Sequence, residues 1–289
     1  MSAGLVPFEL DEVFDRRPPR SDAPLLVLQD VSVHFSGIVA LSGLDLEVGQ
    51  HDVVAIIGPN GAGKTTLLNA ICGIVGTTGK VTFGDRDITG LPPSSVAATG
   101  IGRSFQDPPV IDHYTVLENV LCGAHLRLGY RMFDQIFRRR LVVAAERTMT
   151  RRAMVLLEFM GLSDVAHDHA GGLPYGARKR VDIARAMLSG PHLLLLDEPS
   201  SGLDAHERGA LEAMLRLLRE EECVGILVVE HHMDLVRATA TRVLALQAGQ
   251  ELMTGPPDEV LDSDLFRAAI VGGHADDADA PALDDPPVH

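Results

Sequence analysis

A glycine-rich loop between an apolar run and a helix-like segment constrains this chain more than any other feature. The run Val53 to Ile57 leads into Gly58-Pro-Asn-Gly-Ala-Gly-Lys64-Thr65-Thr66, and the stretch Leu67 to Ile71 follows. A glycine, four residues and then Gly-Lys-Thr form the P-loop pattern, here in its expected strand, loop and helix context. Glycines let backbone N–H groups turn toward an anion, and the positive end of the next helix attracts it. The sequence therefore predicts a phosphate-binding loop after a buried strand.

The side chains of this loop indicate a nucleotide with its metal ion. Lys64 is expected to reach the β- and γ-phosphates, and the Thr65 hydroxyl is expected to ligate Mg²⁺. The alternative is a glycine-rich turn with a surface lysine, which the full pattern in its expected context disfavours. We expect every loop residue to contact the nucleotide, namely Gly58, Pro59, Asn60, Gly61, Ala62, Gly63, Lys64, Thr65 and Thr66.

A second apolar run, Leu193 to Leu196, ends in the acids Asp197 and Glu198. It predicts a strand buried on both faces, and ligands bind at the carboxyl end of such parallel strands. Asp197 is placed to hold Mg²⁺ through water, while Glu198 can orient and deprotonate the water that attacks the γ-phosphate. The alternative is a pair of helix N-cap carboxylates before Pro199, which the presence of the P-loop disfavours.

Further stretches complete a set of motifs in fixed order. Gly100-Ile-Gly-Arg-Ser-Phe-Gln106 and then Leu173-Pro-Tyr-Gly176-Ala177 precede the acidic pair. Ser201-Gly-Leu-Asp204 follows the pair, and His231 comes after another apolar run. Together with the P-loop, these motifs resemble the ATP-binding subunits of ABC transporters.

The resemblance covers about residues 25–272, and within the family it is strongest to the subunits of branched-chain amino acid uptake systems. The residues that carry this finer likeness are Gly100 to Gln106, Thr115-Val-Leu-Glu-Asn119-Val, Leu173 to Gly176 and Glu230-His231. The resemblance implies an α/β fold with a P-loop NTPase (RecA-like) core and a parallel central sheet. An antiparallel β subdomain and an inserted α-helical subdomain at about residues 112–178 would complete it.

Periodicity in the sequence agrees with such a fold. Apolar runs predict parallel core strands at Val53 to Ile57, Leu193 to Leu196 and Ile226 to Val229. Alternation and turn residues predict antiparallel additions at Leu25 to Val48, at Lys80 to Phe83 and on both sides of Ala248-Gly249. Helical spacing of apolar residues before Gly161 predicts a helix in the inserted part, carried by Met149, Ala153, Leu156 and Met160.

For three residues the resemblance implies roles that the residues alone leave open. Gln106 would contact Mg²⁺ and the attacking water, although a lone glutamine is more often a loop residue. His231 would bind the γ-phosphate, although a lone histidine is more often structural and His232 is adjacent. Phe35 would stack on adenine through its flat π-face, although an ordinary aromatic at a strand edge is the alternative.

The stretch Leu173 to Ala177 departs from the common family pattern Leu-Ser-Gly-Gly-Gln. In the family this segment begins a helix that caps the γ-phosphate bound to the opposite subunit. Gly176 and, near the seam, Asp204 are therefore expected to complete the partner's nucleotide site. Pro174 lacks the serine hydroxyl, and a lost hydrogen bond to a charged group is worth roughly 1.5–3 kcal/mol. Proline and tyrosine here also occur in the branched-chain type, whereas Ala177 is more unusual and favours weaker dimer closure.

The composition is that of one large domain with a sizeable core, since 46% of the 289 residues are hydrophobic. We expect the chain neither to span a membrane nor to carry a secretory signal, because it has no long apolar run and no charged-then-apolar leader. Its formal net charge of −15 argues against nucleic acid as a partner. The three cysteines, Cys72, Cys122 and Cys223, fit no metal or redox spacing and are expected to be reduced core residues.

The ends of the chain differ from its middle. Prolines among mixed charges over residues 1–24 predict a flexible N-terminal extension. Aspartates without any Lys or Arg over residues 273–289 predict an acidic disordered tail. Residues 25–272 would then form the ABC ATPase domain.

The absence of an internal repeat predicts a single ATPase unit, which needs a second ATP-binding subunit, either another copy or a related paralogue. The resemblance implies an ATPase that powers a membrane ABC transporter, with import of branched-chain amino acids or a related small polar solute. It also implies transmembrane permease subunits, an extracytoplasmic solute-binding protein and a peripheral place on the cytoplasmic face of the cell membrane. A non-transport ABC ATPase and a nucleotide-binding regulatory subunit with weak hydrolysis are the alternatives.

Overall fold

The computed structural model describes residue 13 and residues 23–126, 139–220 and 224–269. The predicted acidic tail lies outside these residues, as do Cys223 and nearly all of the predicted N-terminal extension. The strands are β1 Leu26–Phe35, β2 Ile38–Val48, β3 Val53–Ile57, β4 Thr78–Phe83, β5 Arg86–Asp87, β6 Ile101–Arg103, β7 Leu193–Asp197, β8 Gly225–Val229, β9 Arg242–Gln247 and β10 Gln250–Gly255. The α-helices are α1 Lys64–Ile71, α2 Pro93–Ala97, α3 Val116–Leu121, α4 Arg139–Phe159, α5 Tyr175–Leu188, α6 Ala205–Glu220, α7 Met233–Thr239 and α8 Pro257–Asp262.

A six-stranded sheet in the order β10-β9-β3-β8-β7-β6 forms the centre of the molecule. Every residue of β3, β7 and β8 is buried, as expected for strands covered on both faces. β3 pairs in parallel with β8, and β8 pairs in parallel with β7. The three predicted parallel core strands are therefore confirmed, and their carboxyl ends lie side by side at one edge of the sheet.

The two outer parts of this sheet differ from what the sequence predicts. The residues around Ala248-Gly249 form the predicted antiparallel hairpin of β9 and β10. However, β9 also pairs in parallel with β3, so the hairpin extends the central sheet. β6 is a further parallel strand beside β7 that the pattern does not predict, because three residues are too few to show a period.

A second sheet is antiparallel, with the order β2-β1-β4-β5. Buried and exposed residues alternate along β1 and β2, as the predicted strand pattern requires. Its buried face packs in one cluster with α1 and β3, through residues such as Leu28, Leu67 and Ile56. This packing holds α1, and with it the end of the glycine-rich loop, between the two sheets.

The chain between β6 and β7 is mainly helical in its described part. Of the helical stripe predicted before Gly161, Met149, Ala153 and Leu156 are buried on α4 and Met160 is buried just after it, and Gly161 follows with a positive φ of 64°. α3, α4 and α5 pack into one hydrophobic cluster. The bounds predicted for the ATPase domain and its helical insertion remain predictions. Among the described residues, none of the helices combines the length and the apolar character needed to cross a bilayer.

The cysteine prediction is partly wrong. Cys72 is buried at the end of α1, as predicted, and burial raises the pKa of its thiol. Cys122 is exposed at the start of the 3₁₀-helix Cys122–Leu126, which follows α3. Sequence spacing cannot distinguish these two environments.

A complete capping box begins α3. The Thr115 hydroxyl accepts a hydrogen bond from the Glu118 backbone N–H at 3.1 Å, and the Glu118 carboxylate accepts one from the Thr115 backbone N–H at 2.8 Å. These bonds satisfy N–H groups that the helix itself cannot pair. They also lower the pKa of Glu118, chiefly through the Thr115 backbone N–H and then through its hydroxyl.

We expect Thr115→Ala to lower the free energy of unfolding by about 1 kcal/mol, since it removes the cap hydroxyl. Denaturant unfolding measures this change. The lowered pKa of Glu118 means that its stabilisation is present above the ordinary carboxyl pKa and is lost as the pH falls through the lowered value. The variant should therefore lose less stability on acidification. Thr115→Ser keeps the hydroxyl, and an equal loss in that control would contradict the cap as the cause.

Candidate functional site

The glycine-rich loop connects β3 to α1 at the edge where the parallel strands end. Gly58 has a φ of 150°, and a Cβ there would lie 2.2 Å from the Leu246 carbonyl oxygen. Gly63 has a φ of 99°, and a Cβ there would lie 2.8 Å from the Ala40 carbonyl oxygen. Both glycines are therefore required by the backbone approach of β9 and β2 as well as by the turn itself.

Lys64 begins α1 and is buried within the loop. Its Nζ donates hydrogen bonds to the carbonyl oxygens of Gly58 at 2.9 Å and Pro59 at 2.8 Å. Burial lowers the pKa of Lys64, while the nearby Glu198 and Asp197 oppose this shift. A cavity of about 260 Å³ opens over the loop, lined by Ala40, Asn60 to Thr66, Gln106 and Glu198. The loop thus presents a cation and helical N–H groups to one concave space, a combination suited to phosphate.

The carboxylate of Glu198 contacts two other residues that the sequence predicts for the site, Gln106 and His231. Its carboxylate accepts a hydrogen bond from Gln106 Nε2 at 3.1 Å on one oxygen and lies 2.8 Å from His231 Nε2 on the other. Glu198 directly follows β7, and its backbone has a φ of 47°, in the left-handed region that residues other than glycine rarely adopt. The adjacent His232 faces away, with Nδ1 at 2.8 Å from the Ser200 hydroxyl. Of the two histidines, the structure therefore places His231 at the carboxylate.

Asp197 lies beside the loop, at the end of β7. The Thr65 hydroxyl is 3.4 Å from one carboxylate oxygen, and Arg103 Nη2 is 3.5 Å from the other. Burial raises the pKa of Asp197, and the guanidinium of Arg103 opposes this shift. The Thr65 hydroxyl and the Asp197 carboxylate supply oxygen ligands of the kind that Mg²⁺ prefers, and Gln106 lines the same cavity as Thr65, so the residues present fit this ion. The sequence did not single out Arg103, because a lone arginine in a short strand carries no pattern.

A buried network behind Glu198 was also not predicted. The carboxylate of Glu230 accepts hydrogen bonds from Ser200, through its backbone N–H at 3.0 Å and its hydroxyl at 2.6 Å. It also accepts the backbone N–H of His231 at 3.1 Å. Glu230 is 1% exposed, so these bonds replace the water that a carboxylate would otherwise need. The network ties the segment after Glu198 to the segment that carries His231.

Three predicted site residues lie apart from this cluster. Phe35 lies at the end of β1 and is 44% exposed. It does not line the loop cavity, whose lining residue nearest to it in sequence is Ala40. Gly176 lies in the first turn of α5, where a Cβ would come within 2.7 Å of the Glu207 carboxylate. Asp204 caps α6 by accepting the Glu207 backbone N–H at 2.8 Å. None of the three lines the cavity over the loop, and their roles remain predictions.

A family model for the ABC transporter matches residues 41–201. The chain belongs to the ABC transporter family. This ABC transporter chain is 35% identical over 249 residues to LivG of Salmonella typhimurium, a high-affinity branched-chain amino acid transport ATP-binding protein, and the match covers 86% of this chain and 98% of LivG. It is 36% identical over 228 residues to PhnC 2 of Haloarcula marismortui, a phosphonates import ATP-binding protein, and that match covers 78% of this chain and 82% of PhnC 2.

A solved ABC cassette has the same fold. The ATP-binding cassette MJ0796, in a dimeric post-hydrolysis state bound to ADP and Pi, superposes on this ABC transporter chain with a TM-score of 0.70 and 27% identity. The match covers 80% of this chain and 98% of MJ0796. The α/β fold and the family predicted from the motifs are thereby confirmed.

We expect Glu230→Gln to lower both stability and ATP turnover. Whichever way the new amide is oriented, its NH₂ group faces the backbone N–H of Ser200 or of His231, and one donor loses its acceptor. A buried donor left unpaired costs about 1–3 kcal/mol in the free energy of unfolding. Glu212→Gln on the surface of α6 is the control and should change stability by no more than about 0.5 kcal/mol. Equal effects of the two variants in denaturant unfolding would contradict the network.

Proposed function

We propose that this chain binds ATP with Mg²⁺ and hydrolyses it to power a membrane transporter. The observation that carries the proposal is the meeting of Gln106, Glu198 and His231, from three separate segments, beside the cavity over the P-loop. Glu198 was predicted from the acidic pair after an apolar run, and the roles of Gln106 and His231 were implied by the family resemblance. A loop that only binds nucleotide does not need a carboxylate held from both sides at the wall of its cavity.

The proposed mechanism assigns one task to each group. Lys64 and the loop N–H groups hold the phosphates, and Glu198 orients and deprotonates the attacking water. Gln106 and His231 fix the direction of the Glu198 carboxylate, and His231 also meets the γ-phosphate. Thr65, Asp197 and Gln106 would hold Mg²⁺, which when bound neutralises charge on the phosphates.

We propose that two such subunits, identical or paralogous, form the working unit. Gly176 and Asp204 do not line the loop cavity of their own chain, which supports this, because a partner can bring its own copies of these residues to the nucleotide. The dimeric state of MJ0796 supports it further. Phe35 would stack on adenine from the exposed end of β1, which leaves its ring free for such a contact.

Import of branched-chain amino acids, or of a related small polar solute, is the proposed transport. The support is the likeness to LivG over almost the full length of that protein. Transmembrane permease subunits and an extracytoplasmic solute-binding protein would complete the system, with this chain peripheral on the cytoplasmic face of the membrane. Phosphonate import is the second candidate, because PhnC 2 is equally similar over a shorter stretch. Uptake of labelled leucine and of labelled phosphonate by cells that contain this chain and its permease subunits distinguishes the two.

We expect Glu198→Gln to lower steady-state ATP turnover by roughly 10²-fold or more, the size of a lost general base, while ATP binding is retained. Turnover with Mg²⁺ and nucleotide binding are measured on the purified chain over a range of protein concentrations. A more than linear rise with concentration in the unchanged protein indicates a homodimer with two working sites. Lys64→Ala is the contrasting variant, since it should weaken nucleotide binding itself. Near-normal turnover of Glu198→Gln would refute the assigned role.

A further inference from the structure

Lys179, on the second turn of α5, is in contact with the backbone of Glu198. It is 2% exposed, although lysine is rarely buried to this extent. Its Nζ donates a hydrogen bond to the Glu198 carbonyl oxygen and lies 3.4 Å from the Ser201 carbonyl oxygen. The buried ammonium group of Lys179 is thus hydrogen-bonded to the backbone of Glu198, the proposed general base.

The backbone of Glu198 is in a conformation that needs such support. Its positive φ of 47° is unfavourable for a residue with a side chain, so surrounding bonds must maintain it. The Glu198 N–H donates to the Val229 carbonyl oxygen at 3.0 Å, which fixes one side of the residue. The Lys179 ammonium fixes the other side, together with the Ser201 backbone N–H at 3.2 Å.

Tyr175, one turn earlier on α5, contacts Gln106, whose side chain is hydrogen-bonded to the Glu198 carboxylate. Its hydroxyl donates to the Gln106 carbonyl oxygen at 3.0 Å, and its ring centre lies 5.4 Å from Lys179 Nζ. Its ring also lies against Gly202, where a Cβ would come within 2.8 Å of it. The start of one helix therefore contacts the backbones of Gln106 and Glu198, whose side chains are hydrogen-bonded to each other.

We propose that Lys179 and Tyr175 are positioning residues for hydrolysis, which orient Glu198 and Gln106 of their own chain. This inference rests on the proposed function. Because Gly176 lies in the same turn as Tyr175, the helix that would meet the partner's nucleotide also sets the geometry of its own site.

Lys179→Met separates positioning from simple packing. Methionine matches lysine in length and keeps the packing of its apolar stem, but the Glu198 carbonyl oxygen loses the Lys179 donor. We therefore expect a folded variant with a somewhat lower melting temperature, because removing one member of a buried contact lowers stability. Its kcat should fall about 10-fold or more, since small misplacements of a reacting group cost up to about 10²-fold, while the KM for ATP changes little. Amide hydrogen exchange over residues 197–202 should become faster in the nucleotide-free protein.

Arg180→Met is the matched control. It removes a cation from the next position of the same helix, where Arg180 contacts the Met160 carbonyl oxygen and Glu207. Neither contact involves Glu198 or Gln106, so kcat should stay within about 2-fold of the unchanged protein. An equal fall of kcat in both variants would mean a general disturbance of α5 and would overturn the proposal.

A double-mutant cycle tests whether Lys179 acts through Glu198. In the Glu198→Gln background, Lys179→Met should have no further effect on turnover, because residues that act as one unit are not additive. The same fold-loss in both backgrounds would overturn the inference. If Glu198→Gln abolishes turnover and Lys179→Met leaves it unchanged, only the inference fails. If Glu198→Gln retains turnover, the proposed function fails first.

Tyr175→Phe provides a second, milder variant. Tyr175 is 43% exposed, so loss of its hydroxyl should leave folding intact even if Lys179→Met does not fold. We expect a fall in kcat of about 3-fold or more, with little change in KM, because the Gln106 carbonyl oxygen loses its donor. Unchanged kcat in this variant would remove Tyr175 from the proposal, and unchanged kcat in both variants would end it.

Discussion

The parallel pairing of β3, β8 and β7 is the constraint on which the rest of the site depends. Val229 of β8 is paired with Ile56 of β3 on one side and with Asp197 of β7 on the other. Parallel strands in register end at the same edge, so the residues that follow them are forced together. The P-loop, Glu198 and His231 are neighbours for this reason, although 173 positions separate Gly58 from His231.

This edge of the sheet gathers polar groups that protein interiors usually exclude. Lys64, Asp197, Ser200 and Glu230 are all buried, and each has a hydrogen-bond or ionic partner in the described part of the chain. Groups of this kind are tolerated only when they are paired, because burial removes the water that would solvate them. The left-handed backbone of Glu198 adds local strain at the same place. The strained backbone lowers stability, but the Glu198 carboxylate is held in a defined direction.

Helix α5 carries both a residue proposed to complete a partner's site and residues that contact the site of its own chain. Its first turn carries Gly176, which would face a partner, and its side chains reach the backbones of Gln106 and Glu198 in its own chain. Pro174 lies at the start of this helix without a side-chain cap bond, so the altered signature stretch is compatible with a regular helix. The departure from the common family pattern therefore leaves the start of this helix regular.

The sequence by itself determined the family, the phosphate loop, the core strands and the acidic pair, because short motifs and local periodicity carry that information. The sequence favoured His231 over His232, since His231 directly follows Glu230 as in the family, but only the tertiary structure showed which of the two side chains lies at the Glu198 carboxylate. The parallel pairing of β9, the short strand β6 and the exposure of Cys122 were likewise beyond local pattern. The contacts of Arg103, Lys179 and Glu230 depend on segments far apart in the chain, so only folding could reveal which polar residues the core would bury and pair.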